Sequence, residues 1–239
     1  LHESSKDRLV WDTSFVYTPW ERTFLRSHIA TGYRAPSLYE QAGSFLTSFG
    51  RFEVGTPGLS PERSLTWDAG IEHRFDDLSA VGLTYFDNTI KNQIDFTSTY
   101  VNREGIYETH GIEAFYERFL FGNTIVRASY TRTIGTGLID VGEHEAGIAL
   151  RTHAGRWTGS IRGTFKGEHE IAVFDADTFE VRRLEEAGHF KADATVTIQI
   201  CKNVELYGKI SNVFSETYAD GGYRQPGFSA YAGVKVDLG

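Results

Sequence analysis

Two triplets, Glu143-His144-Glu145 and Glu168-His169-Glu170, set an imidazole between carboxylates, and His189 lies on the same long connection as the second. Such donors suit zinc or a similar divalent ion. The spacing works against that assembly. Residues i and i+2 share a strand face, so each central histidine points away from its two glutamates. Solvated polar loops are the stronger reading, and no cofactor is expected. Arg182-Arg183 offers guanidinium forks to an anionic ligand or to the nearby Glu185 and Glu186, with the internal pairing favoured. Tyr39, Phe45, Phe49 and Phe52 gather in one long connection, where exposed rings can grip a flat ligand or pack the loop down. Asp76-Asp77 reads as a solvated corner and not as an acid–base dyad. There is no G-x-S-x-G, H-E-x-x-H or phosphate-binding loop, so the chain is not expected to be an enzyme.

The elements carrying these residues show period-two alternation with little sign of helix. Ala192, Ala194, Val196, Ile198 and Ile200 alternate with Lys191, Asp193, Thr195, Thr197 and Gln199. Phe228, Ala230, Ala232, Val234, Val236 and Leu238 alternate with Ser229, Tyr231, Gly233, Lys235 and Asp237. About eleven such strands can be counted, many near ten residues, the length a tilted membrane strand needs. Joints alternate between short and long. Pro19-Trp20-Glu21, Asp76-Asp77-Leu78, Phe121-Gly122-Asn123, Ala154-Gly155-Arg156 and Cys201-Lys202-Asn203 are tight. Arg34–Leu65, Thr97–Thr109, Ile134–Ala146, Glu168–His189 and Ser215–Gly227 are long. Sorting loops by length in this way is the habit of an outer-membrane barrel, with short periplasmic turns and long outside loops. Tyr17, Trp20, Phe75, Phe119, Phe121 and Trp157 collect beside the short turns as an interfacial girdle would.

One strand face carries Arg26, His28, Asp68, Glu72, Arg74, Glu113, Arg127, Arg151, Arg162 and Lys166. Burying these in a small filled barrel would be prohibitive, so the interior must be wide and wet or hold a polar plug. The formal charge of -8 gives a nucleic-acid partner no electrostatic support. The single Cys201 excludes an internal disulfide framework; beside a short turn and in phase with Ile198 and Ile200, it is expected to be an inert buried thiol facing lipid. Without a starting Met or a signal peptide, the chain is expected to be a mature or internal piece of a longer protein.

Five segments then carry a family resemblance. Gly32-Tyr33-Arg34-Ala35-Pro36-Ser37-Leu38-Tyr39-Glu40, Gly58-Leu59-Ser60-Pro61-Glu62-Arg63-Ser64, Trp67-Asp68-Ala69-Gly70-Ile71-Glu72, Asn212-Val213-Phe214-Ser215-Glu216-Thr217-Tyr218 and Gly222-Tyr223-Arg224-Gln225-Pro226-Gly227 resemble, in order, signatures of TonB-dependent outer-membrane receptors. Phe228 stands where an Arg often follows the Pro-Gly, and the usual terminal aromatic is missing. The resemblance implies an all-β, antiparallel transmembrane barrel in the bacterial outer membrane, surrounded by lipid. These residues would be the C-terminal half of about twenty-two strands. It also implies active import of a ferric siderophore, haem or cobalamin, driven by TonB through a missing N-terminal region. The remaining strands and a plug would lie on the same or a separate chain. The Pro-Gly ending leans toward cobalamin- or catecholate-receptor-like members. Ligand contacts would then come from outer loops at Arg34, Tyr39, Phe45, Phe49, Phe52, Arg182, Arg183, Tyr223 and Arg224. Pro36 ends its strand and turns the chain aside, leaving Arg34 free to point into the lumen toward plug carboxylates or backbone. A motif that only braces the wall is the favoured reading there. A passive porin-like channel and a soluble β-rich binding or adhesion module are the alternatives.

Overall fold

The computed structural model describes residues 9–48, 50–76, 78–136, 138–175, 180–220 and 223–237. Its elements are β1 (Asp12–Trp20), β2 (Thr23–Arg34), helix α1 (Leu38–Ala42), β3 (Ser44–Thr47), β4 (Gly50–Glu53), β5 (Glu62–Asp76), β6 (Ser79–Lys91), β7 (Ile94–Phe96), β8 (Tyr100–Asn102) and β9 (Ile106–Leu120). There follow β10 (Thr124–Gly135), β11 (His144–Ala154), β12 (Trp157–Lys166), β13 (His169–Asp175), β14 (Glu180–Glu186), β15 (His189–Cys201), β16 (Val204–Ser211), β17 (Ala219–Asp220), β18 (Tyr223–Arg224) and β19 (Ser229–Val236). Eleven of these form one antiparallel sheet in the order β1-β2-β5-β6-β9-β10-β11-β12-β15-β16-β19. The other eight pair as small hairpins inside the long connections. No described helix is long and apolar enough to cross a membrane.

The register settles which residues share a face. Arg26 lies opposite Gly70, Gly70 opposite Thr84, and Thr84 opposite Glu113. Arg127 lies opposite Glu117 and Ala149, Ala149 opposite Arg162, and Arg162 opposite Asp193. All ten charged residues assigned to the interior therefore fall on one face. The other face presents Trp67, Ile71, Leu83, Ile112, Ile148, Ile161, Val196, Leu206 and Val234, all of them exposed. Among the described residues the buried hydrophobic set is Val54, Leu59, Ile94, Ile171 and Ala192, and four of these five lie in the long connections. The great sheet thus has no protein core of its own. Its apolar face needs hydrocarbon, which is what a membrane supplies.

Aromatic rings on the interior face cover glycines across the strand pair. A Cβ at Gly82 would lie 2.1 Å from the Phe115 ring, so the register there requires glycine. The aromatic girdle is less uniform than its composition suggests: Phe119 pairs with Ile125 on the interior face. Cys201 is exposed, not buried; strict alternation places it on the face opposite Ile198 and Ile200, and the β15–β16 register shifts beside it. The first short turn also moves. β1 continues through Pro19 with an irregular register and the chain reverses at Glu21–Arg22. β5 begins at Glu62, three residues before the apolar alternation sets in at Leu65, and β9 and β11 likewise start early. Strand ends that stand above the hydrocarbon need no apolar face, so periodicity does not mark them.

Candidate functional site

All the long connections leave the sheet at one end, opposite the short turns. Two of the family-like segments converge there on a single node. The Arg34 guanidinium, at the end of β2, donates from Nε to Glu62 Oε2 at 2.7 Å and from a terminal nitrogen to Glu62 Oε1 at 2.8 Å. Its other terminal nitrogen donates to Glu40 Oε1 at 2.9 Å. Glu62 Oε1 also accepts the Ile94 backbone N–H at 2.7 Å. Glu40 Oε2 accepts from the Ser37 backbone while the Ser37 hydroxyl accepts from the Glu40 backbone, a reciprocal cap that starts α1 just after Pro36. Gly32 lets the neighbouring strand in, since a Cβ there would meet Ser64 Oγ at 2.3 Å. Arg34 thus braces the wall, as the favoured reading of this motif has it, through carboxylates of this chain. The short helix arises from local capping that strand periodicity could not reveal.

Burial pushes the Glu40 carboxyl up, but hydrogen bonds from Ser37 and Arg34 outweigh it and hold the group below the usual glutamate range. A depressed folded value stabilises the brace above the unfolded pKa, and the benefit is lost as pH falls through the folded one. Acidification below about pH 4.3 should therefore loosen residues 35–61, read as faster proteolytic nicking, and Glu40→Gln should flatten that dependence.

Connections 35–61 and 92–105 form one unit. The Tyr100 N–H donates to Val54 O at 2.9 Å. Asn102 accepts the Ser60 N–H at 2.6 Å and donates to Ser60 O and Asn92 O at 2.9 and 2.8 Å. Tyr39 packs edge-on to Tyr100 at 6.1 Å, and Tyr100 lies 5.1 Å from Phe96. Phe45 and Phe52, opposite each other on the β3–β4 hairpin, stack at 5.7 Å with both rings about half exposed. Of the four expected aromatics, then, two form an exposed pair and Tyr39 serves as loop packing. Phe49 lies outside the described residues.

The second group of connections is held by ion pairs. Lys166 Nζ sits 2.6 Å from Asp140 Oδ1, and the Asp140 N–H donates to Glu170 O at 2.7 Å. His169 is buried at the foot of the β13–β14 hairpin, its Nε2 3.5 Å from both Asp140 Oδ1 and Glu186 Oε2. A solvated-loop reading fails for His169, because the hairpin folds it under while Glu168 and Glu170 point out. His144 instead contacts the Tyr130 hydroxyl at 2.7 Å, and His189 stacks on Tyr218 at 4.1 Å. The Arg132 hydrogen bond draws the Glu143 carboxyl below its ordinary pKa. The three histidines are thus used separately. No group of three or more His, Cys, Asp or Glu side chains among the described residues has metal-holding geometry. Arg183 pairs with Glu170 at 3.0 Å and not with Glu185 or Glu186, since cross-strand reach in the hairpin selects the facing strand. Arg182 is exposed on β14, and Tyr223 and Arg224 are exposed on β18. Asn212, 1% exposed, clasps the last connection, donating to Glu216 O and Pro226 O and accepting from the Glu216 N–H.

An open antiparallel sheet with a charged interior, an apolar exterior and braced loops at one end defines an outer-membrane barrel wall. Residues 2–213 match the family model described as TonB dependent receptor-like, beta-barrel, and the chain belongs to that outer-membrane receptor family. Over 85 residues it is 38% identical to the ferric enterobactin receptor of Pseudomonas aeruginosa, covering 31% of this chain and 11% of that protein. A solved structure of a ferric enterobactin receptor variant from P. aeruginosa superposes with a TM-score of 0.77 at 18% identity, over 98% of this chain and 41% of that one. The siderophore receptor PirA from Acinetobacter baumannii gives 0.78 at 16% identity, with 98% and 41% coverage. The FrpB iron transporter from Neisseria meningitidis gives 0.73 at 15% identity, with 94% and 38% coverage. At such identities the structural likeness is one of fold. The chain spans about two fifths of the length of the first two solved receptors.

Proposed function

We propose that this chain is the C-terminal part of a TonB-dependent transporter that imports a ferric siderophore across the outer membrane. The observation that carries the reading is the wall itself, charged within, apolar outside and crowned by braced loops, in a chain whose curated relative is a ferric enterobactin receptor. Haem and cobalamin have no comparable support. In the complete protein, iron-starved cells should accumulate labelled ferric siderophore, and removing TonB or the proton-motive force should stop it. Accumulation that persists without TonB would point to the passive-channel alternative.

The Phe45–Phe52 pair is the best-formed candidate contact for a flat, aromatic chelate. Replacing both rings by alanine should weaken surface binding about tenfold, the worth of one to two stacked aromatics, with the barrel intact. Unchanged affinity would move recognition to the plug or to other loops.

The remaining strands complete the barrel. β1 and β19 stand at the two ends of the sheet order and run in the same direction, as the first and last of eleven antiparallel strands must. An open edge in hydrocarbon costs several kcal/mol for each unpaired backbone group, more in sum than the roughly 5–15 kcal/mol stability of a domain. An upstream set of eleven strands removes both edges and leaves room for a plug. Cysteines placed on β1 and β19 should each cross-link to upstream strands; a direct β1–β19 cross-link would refute this.

A further inference from the structure

Two buried polar atoms in the long connections make no hydrogen bond among the described residues, and they face each other. They are His169 Nε2 and Glu186 Oε2, 3.5 Å apart. Their residues are the first cross-strand pair of the β13–β14 hairpin. The His169 side chain is fully buried and that of Glu186 is 13% exposed. Ile171, also buried, lies on the same face of β13 as His169.

A neutral His169 ring does not satisfy this site. Its Nδ1 lies 3.0 Å from the Gly167 carbonyl oxygen, which can only accept, so Nδ1 carries a hydrogen. The neutral imidazole then leaves Nε2 bare. Glu186 Oε2 and Asp140 Oδ1 stand 3.5 Å from it, and each carboxylate is an acceptor too. Lone pairs facing one another with no hydrogen between them are costly where water is shut out. One proton on Nε2 turns the same geometry into an ion pair with both carboxylates. The three groups lack metal-holding geometry, so a proton and not a metal ion fits them.

The other charges nearby are engaged or exposed. Lys166, at the end of β12, holds Asp140 at 2.6 Å, and Arg183 holds Glu170. His144 lines the same recess and contacts the Tyr130 hydroxyl, while His189 on β15 is the register partner of Lys166 and stacks on Tyr218. Glu143, Glu168 and Glu185 line that recess with water around them. Glu186 is thus left to the His169 proton. Apart from this cluster, the hairpin meets the β10–β11 connection through the Asp140 N–H bond to Glu170 O at 2.7 Å.

We propose that His169, Asp140 and Glu186 form a proton-dependent latch that holds the β13–β14 hairpin against the β10–β11 connection when His169 is charged and frees it when the proton leaves. The proton is taken up as the hairpin docks. The latch therefore contributes in acid, and its contribution is lost as pH rises through the range where histidine titrates, about pH 5–8. Carboxylates are charged throughout that range. The direction is opposite to that of the Glu40 brace, which acid loosens. The hairpin belongs to the loop-bearing end, so the latch sets how open that end stands, whatever cargo is carried.

The test is amide hydrogen exchange on the purified complete receptor, with each rate divided by its intrinsic rate at that pH and the β11 and β12 amides as internal reference. Protection of β13 and β14 should fall about tenfold or more from about pH 5.5 to about pH 8, the loss of one charge-assisted contact. H169F should show the low value at both. E186Q should stay protected at the higher pH, because its amide donates to the bare Nε2 without a proton from solution. Wild-type protection that ignores pH would overturn the latch, as would an E186Q variant that opens like the wild type. H169F protected as well as the acidic wild type would overturn it too. Loss of protection on adding EDTA at fixed pH would do the same, by placing a metal ion where we place a proton.

Discussion

Val196→Arg is expected to destabilise the complete barrel by about 2–4 kcal/mol, the cost of a cation at mid-bilayer on the lipid face, while Thr197→Arg costs little. Val196 lies near the middle of β15, opposite Gly159 on one side and Gly208 on the other. Neither neighbour has a side chain to shield or pair a guanidinium, and Val196 is 45% exposed on the apolar face. Thr197, one residue along, lies opposite Thr158 and Tyr207 on the interior face, where water reaches it. Urea unfolding of the complete protein refolded into lipid measures both changes. Equal stabilities for the two variants would mean that the inside and outside of β15 have been exchanged.

Asn212→Ala should have the second large effect, and a local one. The side chain donates to Glu216 O at 2.9 Å and Pro226 O at 3.2 Å and accepts the Glu216 N–H at 2.9 Å. Its backbone sits at φ 53°, a left-handed conformation that asparagine tolerates and alanine resists. Losing those bonds at a buried position and adding the backbone strain should cost the 212–228 connection about 2–4 kcal/mol. The expected readout is a loss of amide hydrogen-exchange protection confined to that connection. Asn212→Gly, which relieves the strain but not the lost bonds, should recover only part of it. Protection equal to the wild type in both variants would show that the clasp holds nothing.

Much of the wall was legible from order alone. Strand number, the sense of each face and the sorting of short turns from long loops all follow from a side-chain period of two, which one residue of slip would invert. Hydrocarbon outside and water inside impose that period on every spanning strand, so the pattern repeats along the chain. The errors fall where that pressure stops. Phe119 and Cys201 stand near short turns, where an aromatic has two faces to choose from and the β15–β16 register shifts. The early start of β5 at Glu62 went unseen because that end is polar on both sides.

The sequence by itself determined that this is an outer-membrane barrel wall of eleven strands with one wet face, since the alternation along each strand and the sorting of short turns from long loops carry that information. What only the tertiary structure decided is the partnership of charges. Arg34 looked available to something outside the chain, yet it closes on Glu40 and Glu62, six and twenty-eight residues away. Arg183 chose Glu170 over its nearer neighbours, and His169 went under a hairpin. A strand face is set by local alternation, but an ion pair is set by register across strands and by loop closure. Both bring together residues whose separation in sequence carries no trace of their distance in space.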